Sequence, residues 1–223
     1  SNAFNVSTQF DQVKKELVNN GNIPSTHPVA LLRGGKPLDA EKSVNFSFGT
    51  VFDVNSFYFT VDYFSINLKD RLAVSQDFSL TPAEITSLVA SGITSAANLQ
   101  NFRFFTNDFD TKTSGIDVVG SRAMQQFGGK TEFAVAFNYT STKVSRFNAA
   151  TLNALRIRQL ESALPDTRYS ITVNHYNKAW RCLARLSYYG DWFDSEDGRD
   201  YKGKFLVDAE TAYKFTKDLS LIV

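Results

Sequence analysis

Alternation with a period of two, held for ten residues or more at a time, is the feature that most narrows what this 223-residue chain can become. In residues 44–54 the even positions are Val44, Phe46, Phe48, Thr50, Phe52 and Val54, while the odd ones include Asn45, Ser47, Gly49 and Asp53. Side chains that change face at every residue belong to a pleated strand with one apolar and one polar side. The beat returns at Phe133, Val135, Phe137 and Tyr139, then at Tyr169, Ile171, Val173 and His175, and again at Phe205, Val207, Ala209, Thr211 and Tyr213. Residues 180–192, WRCLARLSYYGDW, set Trp180, Cys182, Ala184 and Leu186 against Arg181 and Arg185. The 20 Phe and 9 Tyr suit strands. Strands of soluble domains run ~5–6 residues, so these are long for a sandwich.

The connections alternate as well. Tight turns are expected near Asn55, Gly128, Asn177 and Lys217, and long excursions over residues 70–110, 145–166 and 193–203. All the short links then lie on one edge of a meander and all the long ones on the other, the asymmetry of an outer-membrane barrel. Residues 7–20 carry Phe10, Val13 and Leu17 at helical spacing, with Gly21 placed to stop a short helix. Thr81-Pro82-Ala83-Glu84 reads as a capping box with proline at the first helical position, opening a helix to about residue 91. A further helix is expected over residues 150–163, stopped by Pro165. After Phe57, Phe59, Val61 and Tyr63 the apolar parity changes to Phe64, Ile66 and Leu68, which predicts a bulge or an exit from the sheet.

Composition removes several functions. A net charge of +1 gives no pull towards nucleic acid. One cysteine, Cys182, excludes an internal disulfide and a multi-cysteine metal site. No run of about 18 apolar residues is present, so no transmembrane helix is expected, while barrel strands would escape such a test. No catalytic set is assembled: His175 falls on the apolar parity beside Ser170, and His27 lies in a loop. The chain is read as a non-enzyme without a cofactor. Asp194, Glu196, Asp197 and Asp200 cluster in one loop, and Asn107, Asp108 and Asp110 in another. Calcium takes such oxygens, but the spacing is not that of an EF-hand, and no metal site is assigned.

At KPLDAEKSVNFSFGTVF, residues 36–52, the chain resembles the TonB-dependent outer-membrane receptors, with Ala40 where their similar phrase has proline. NFRFFTNDFDTKTSGIDVVGS, residues 101–121, resembles them further through Asn107, Gly115 and Asp117. So do LNALRIRQLESALPDTRYSITVNH, residues 152–175, and YYGDWFDSEDGRDYKGKFLVD, residues 188–208. The resemblance covers about residues 36–223. It implies a barrel of about 22 strands closed by a separate plug domain. It also implies import of a scarce nutrient, commonly a ferric siderophore, across the outer membrane of a Gram-negative bacterium. An inner-membrane complex would supply the energy through an N-terminal segment.

The expectations are therefore these. The fold is all-β, an antiparallel up-and-down meander of about eight long strands forming part of a transmembrane barrel, with short helices in the long loops. Residues 1–3 read as an expression-tag scar, 4–42 as an extracellular loop with a short helix, and 43–223 as partial barrel. The strand-like end LSLIV suggests an internal piece of a longer protein. Ligand contact is assigned to Asn107, Asp108, Asp110, Tyr189, Trp192, Asp194 and Tyr201, and the plug-facing or lumen-facing wall to Arg181, Arg185, Asp208 and Glu210. Residues 180–192 would be one whole membrane crossing, with Trp180 and Trp192 in its two aromatic girdles. The isolated piece, with open edges and a bare apolar face, is expected to self-associate. The alternative is a soluble β-rich domain that binds carbohydrate through exposed aromatics.

Overall fold

The computed structural model describes residues 5–11, 16–99 and 101–223. Its strands are β1 (Asn5–Asp11), β2 (Glu16–Ile23), β3 (Lys42–Val54), β4 (Phe57–Val74), β5 (Phe78–Ser79), β6 (Asn101–Gln126), β7 (Gly129–Phe147), β8 (Thr167–Tyr176), β9 (Trp180–Tyr189), β10 (Trp192–Asp194), β11 (Arg199–Tyr201), β12 (Lys204–Lys214) and β13 (Ser220–Ile222). The helices are α1 (Pro28–Leu31), α2 (Pro82–Ala90) and α3 (Ala154–Ser162). Eight strands are successive neighbours in the order β3-β4-β6-β7-β8-β9-β12-β13, the meander that the alternation predicts. The short turns fall where expected. Asn55 and Ser56 (φ 51 and 63) and Phe127 and Gly128 (φ 53 and 70) hold the paired left-handed conformations of tight hairpins.

Two compact units are present: Ser1–Ser43, Asn67–Thr111 and Val144–Ile157 form the first, and Val44–Ile66, Lys112–Lys143 and Arg158–Val223 the second. The first has its own apolar core. Ile23, Val29, Ala30, Leu80, Leu88, Ala96, Leu99, Phe102 and Phe104 are buried together, with Phe78 stacked on Phe102 and Phe104. α2 opens with the expected capping box: the Thr81 hydroxyl accepts from the Glu84 amide, and Glu84 Oε2 accepts from the Thr81 amide at 2.8 Å. Arg33 pairs with Glu84 Oε1 at 2.7 Å. His27 caps α1, its Nδ1 accepting from the Val29 amide.

The Thr81 amide bond, then the Arg33 and Thr81 side-chain bonds, lower the Glu84 pKa from 4.5 to about 2. Between those values the unfolded chain takes up a proton that the folded chain refuses, so the cap's contribution is full above about 4.5 and disappears as pH falls towards 2. Amide-exchange protection of residues 81–91, corrected for intrinsic rate, should fall across that window and lose this dependence in Glu84→Gln. An unchanged pH profile in the variant would show that the cap does not hold this turn.

The expected helix over residues 7–20 is not formed. β1 and β2 instead pair antiparallel, with Phe10 opposite Leu17, and Val13 lies outside the described residues. β2 also runs parallel to the start of β6, from Asn20 opposite Asn101 to Ile23 opposite Phe104. Asn19, Asn20 and Asn22 are poor helix formers, and the ladder to β6 brings Ile23 into the core. Gly21 is a close-approach position and not a helix stop: a Cβ there would strike Leu99 Cδ2.

Other boundaries shift too. β4 runs to Val74 and β6 begins at Asn101, so the first excursion is much shorter than residues 70–110. α3 covers less than residues 150–163 because Asn148, Ala150 and Thr151 form a turn, with the Asn148 side chain and carbonyl accepting from the next residues. The parity change in β4 is no exit from the sheet. Phe64 lies against Gly115, where a Cβ would come 2.5 Å from Phe64 Cζ, so the missing side chain makes room for the ring. The left-handed residue of β4 comes later, at Asp70 (φ 52).

In the second unit, register converts alternation into two surfaces. One carries Phe137, Tyr169, Tyr188 and Phe205 in a row across β7, β8, β9 and β12. The Tyr169 and Tyr188 rings stack at 5.0 Å, and Tyr188 and Phe205 lie 4.9 Å apart. Towards the short turns the same surface holds Val135, Ile171, Leu186 and Val207, then Phe133, Val173, Ala184 and Ala209. It ends at Trp180 and Tyr213, 4.6 Å apart, with Phe215 edge-on to Tyr213. Much of this surface is bare: Val207 is 75% exposed and Phe205 57%.

Candidate functional site

Three groups of side chains carry the chemistry, each within one unit. The first is the surface opposite the apolar one. Its rows are Lys130, Tyr176, Arg181 and Ala212; Glu132, Asn174, Leu183 and Glu210; and Ala134, Thr172, Arg185 and Asp208. Arg181 pairs diagonally with Glu210 at 3.1 Å. Arg185 faces Asp208 in register but donates its Nε–H to Thr172 Oγ1 at 3.2 Å. The expected wall residues thus share one polar surface. Among the described side chains, Arg181 Nε and Asn174 Oδ1 are buried without a hydrogen-bond partner, so this surface has unspent polar capacity. His175, on the apolar parity, bonds through Nδ1 to Thr131 Oγ1 at 2.8 Å and meets the edge of Phe127.

The second group corrects an expectation. Asn107, Asp108 and Asp110 are in β6 and not in a loop, and Asn107 and Asp108 are buried. Asn107 Nδ2 donates to the Asp39 and Asp70 carbonyls, and its Oδ1 accepts from the Asp39 amide. Asp108 is met by Lys36 at 2.5 Å, by the Thr151 hydroxyl at 2.9 Å and by Asn148 Nδ2 at 3.3 Å. Arg146 reaches both oxygens of Asp110 at 2.7 Å and Asp70 at 2.9 Å. The Asp70 amide donates to Asp110, which fixes the left-handed turn that aspartate tolerates there. A short polar run in the sequence is therefore a knot joining segments near residues 36–39, 70, 106–110 and 146–151. Its carboxylates already have cations, Lys36 and Arg146. No cluster of three or more His, Cys, Asp or Glu suited to a metal ion occurs among the described residues.

The third group is the loop after β9. The strand ends at Tyr189, and Trp192 opens a separate two-stranded sheet, so residues 180–192 are not one crossing. Gly190 and Asp191 make the break: Asp191 leaves the wall ladder and accepts from Lys202 Nζ and the Gly203 amide. β10 and β11 pair Trp192 with Tyr201, Phe193 with Asp200 and Asp194 with Arg199. Alternation then puts Trp192, Asp194 and Tyr201 on one face of the hairpin. The Trp192 and Tyr201 rings stack at 4.6 Å and 13°. Tyr201 donates its hydroxyl to Asp197 at 2.6 Å, which raises its pKa above the usual value. Tyr189 is elsewhere, on the polar surface between Arg168 and Lys204. Arg158 was not singled out by the sequence, whereas Phe193 is one of the aromatic residues that surround this loop and could frame a cation. Phe193 is 2% exposed, with the Arg158 guanidinium 4.2 Å above its ring.

The fold has known counterparts. The FrpB iron transporter of Neisseria meningitidis (F3-3 variant) superposes with a TM-score of 0.54 at 17% identity, over 79% of this chain and 25% of that one. The copper transporter OprC gives 0.53 at 13%, over 82% and 24%. The ferripyoverdine receptor of the Pseudomonas aeruginosa outer membrane gives 0.51 at 14%, over 84% and 23%. The chain spans about a quarter of the length of each. No curated protein sequence matches it. The family model for the TonB dependent receptor-like β-barrel matches residues 3–223, essentially the whole chain, and on that match the protein belongs to the TonB-dependent receptor β-barrel family.

Proposed function

We propose that the chain forms part of the wall of an outer-membrane transporter of a Gram-negative bacterium, one that imports a ferric siderophore or similar iron complex. The observation that carries the membrane reading is the pair of aromatic rows bounding a bare apolar surface. About eight residue steps separate Trp180 from Tyr188 on β9, ~26 Å along the strand and ~20 Å along the normal at a tilt of ~40°. An apolar band of ~25 Å between aromatic girdles is what a barrel presents to lipid. The rows replace the Trp180–Trp192 pair expected from sequence. The polar surface, with Arg181, Arg185, Asp208 and Glu210, then faces the lumen or a plug. The ligand would meet the loops at Trp192, Asp194 and Tyr201, with Tyr189 at the rim of the lumen, while Asn107, Asp108 and Asp110 are engaged within their own knot. The whole receptor would draw energy from an inner-membrane complex. Iron is favoured because two of the similar structures are described as an iron transporter and a ferripyoverdine receptor, and copper is the second reading through OprC.

The membrane reading is tested with the chain refolded in detergent or vesicles and, separately, in plain buffer. Strand circular dichroism and quenching of Trp180 by brominated acyl chains, read in Trp192→Phe, are expected only with amphiphile, and association into larger species without it. A monodisperse, cooperatively melting monomer in plain buffer would overturn the barrel and favour the soluble carbohydrate-binding alternative.

A further inference from the structure

We propose that Arg158 is a positioning residue that grips the back of the β10–β11 hairpin and thereby sets Trp192, Asp194 and Tyr201 as one outward-facing platform. The hairpin needs such a hold. Each of its strands has three residues, and it makes a sheet of its own apart from the wall. An isolated two-stranded ribbon is marginal in water. Its central pair is Phe193 opposite Asp200, and Arg158 engages both members. Nη2 donates to Asp200 Oδ1 at 2.6 Å and to Oδ2 at 2.7 Å, and the guanidinium carbon lies over the buried Phe193 ring, 4.2 Å from its centroid.

Phe193 and Asp200 share one face of the hairpin, so Trp192, Asp194 and Tyr201 are left on the other. The ion pair alone would contribute little at an exposed site, since Asp200 and Arg158 are each about half exposed. The ring contact is what adds to it: a planar cation over an aromatic face is stronger when the ring is desolvated. Lysine offers neither the plane nor the reach. The ligand role of the platform rests on the proposed transporter function, but the grip itself does not.

The test uses the detergent-refolded chain with Trp180→Phe, so that Trp192 is the remaining tryptophan. Arg158→Ala and Arg158→Lys are both expected to raise amide exchange across residues 192–201 by ~10-fold or more. Acrylamide quenching of Trp192 should rise with it. Quenching of Trp180, read in a Trp192→Phe background, should stay unchanged, which a general loss of structure would not allow. If Arg158→Ala unfolds the chain, Asp200→Asn removes the ion pair, keeps the ring contact and should give a smaller rise confined to the hairpin. Exchange and Trp192 quenching that stay within about twofold of the parent, or a lysine variant that behaves as arginine, would overturn the proposal. Trp192→Ala or Tyr201→Ala leaving ferric-siderophore uptake by the full receptor unaltered would remove the ligand role and leave the grip to stand or fall on the fluorescence.

Discussion

Asp108→Ala should loosen the first unit by about 3 kcal/mol, the scale on which a buried, charge-paired carboxylate matters. Its side chain is 5% exposed and is held by Lys36, Thr151 and Asn148 together. Two of those partners come from a segment some forty residues further on, and Lys36 from one about seventy residues earlier. Removing the carboxylate frees Lys36, which is half exposed and can return to water. Thr151 is fully buried and keeps only its longer bond, 3.3 Å, to the Asn148 carbonyl. Amide exchange at residues 105–111 and 148–152 should therefore quicken by ~100-fold, taking tenfold for each ~1.4 kcal/mol. Asp194→Ala removes the same group from the hairpin, where it accepts from the local Glu196 amide, and should stay within ~0.5 kcal/mol. Equal effects of the two substitutions would mean that the knot does not hold the unit together.

The contrast between those two aspartates also shows what the sequence could and could not reveal. The wall was legible because a strand's side-chain period is local. Val44 to Val54, Phe133 to Tyr139 and Tyr169 to His175 announce their faces without knowledge of any partner. Tight turns and the α2 capping box are local in the same way, and they stand where the residues put them. The knot was not legible, since NDFD is short and acidic like a loop, and only its distant partners make it a buried strand. The β1–β2 hairpin failed for a related reason: the ladder that selects it is parallel to residues 101–104, far along the chain. β10 and β11, three residues each, are too short to show any period, so the sequence pattern alone runs Trp192 onto the end of the preceding strand. The aromatic row Phe137, Tyr169, Tyr188 and Phe205 exists only once register is known, although each member sits on a parity that the sequence had assigned.

Gly115→Ala is expected to cost about 3 kcal/mol, the upper end of ordinary overpacking. A Cβ at Gly115 would overlap the Tyr139 carbonyl oxygen and lie 2.5 Å from Phe64 Cζ and 2.8 Å from Cε1. A ring can turn aside, but a carbonyl in a strand ladder cannot move without its neighbours. Gly120→Ala makes the useful comparison. Its Cβ would meet the tips of Val135 and Phe59 at 3.1 and 3.3 Å, with no backbone atom among the nearest contacts, so a cost of under ~1 kcal/mol is expected. The double variant Gly115→Ala, Phe64→Ala separates the two parts of the clash. It relieves the ring overlap, leaves the carbonyl overlap in place and opens a cavity where Phe64 packed, so it should unfold at least as easily as Gly115→Ala alone. Denaturant midpoints of the detergent-refolded chain measure all three. Recovery of the parent midpoint in the double variant would show that Phe64, and not the strand backbone, is what requires glycine at this position.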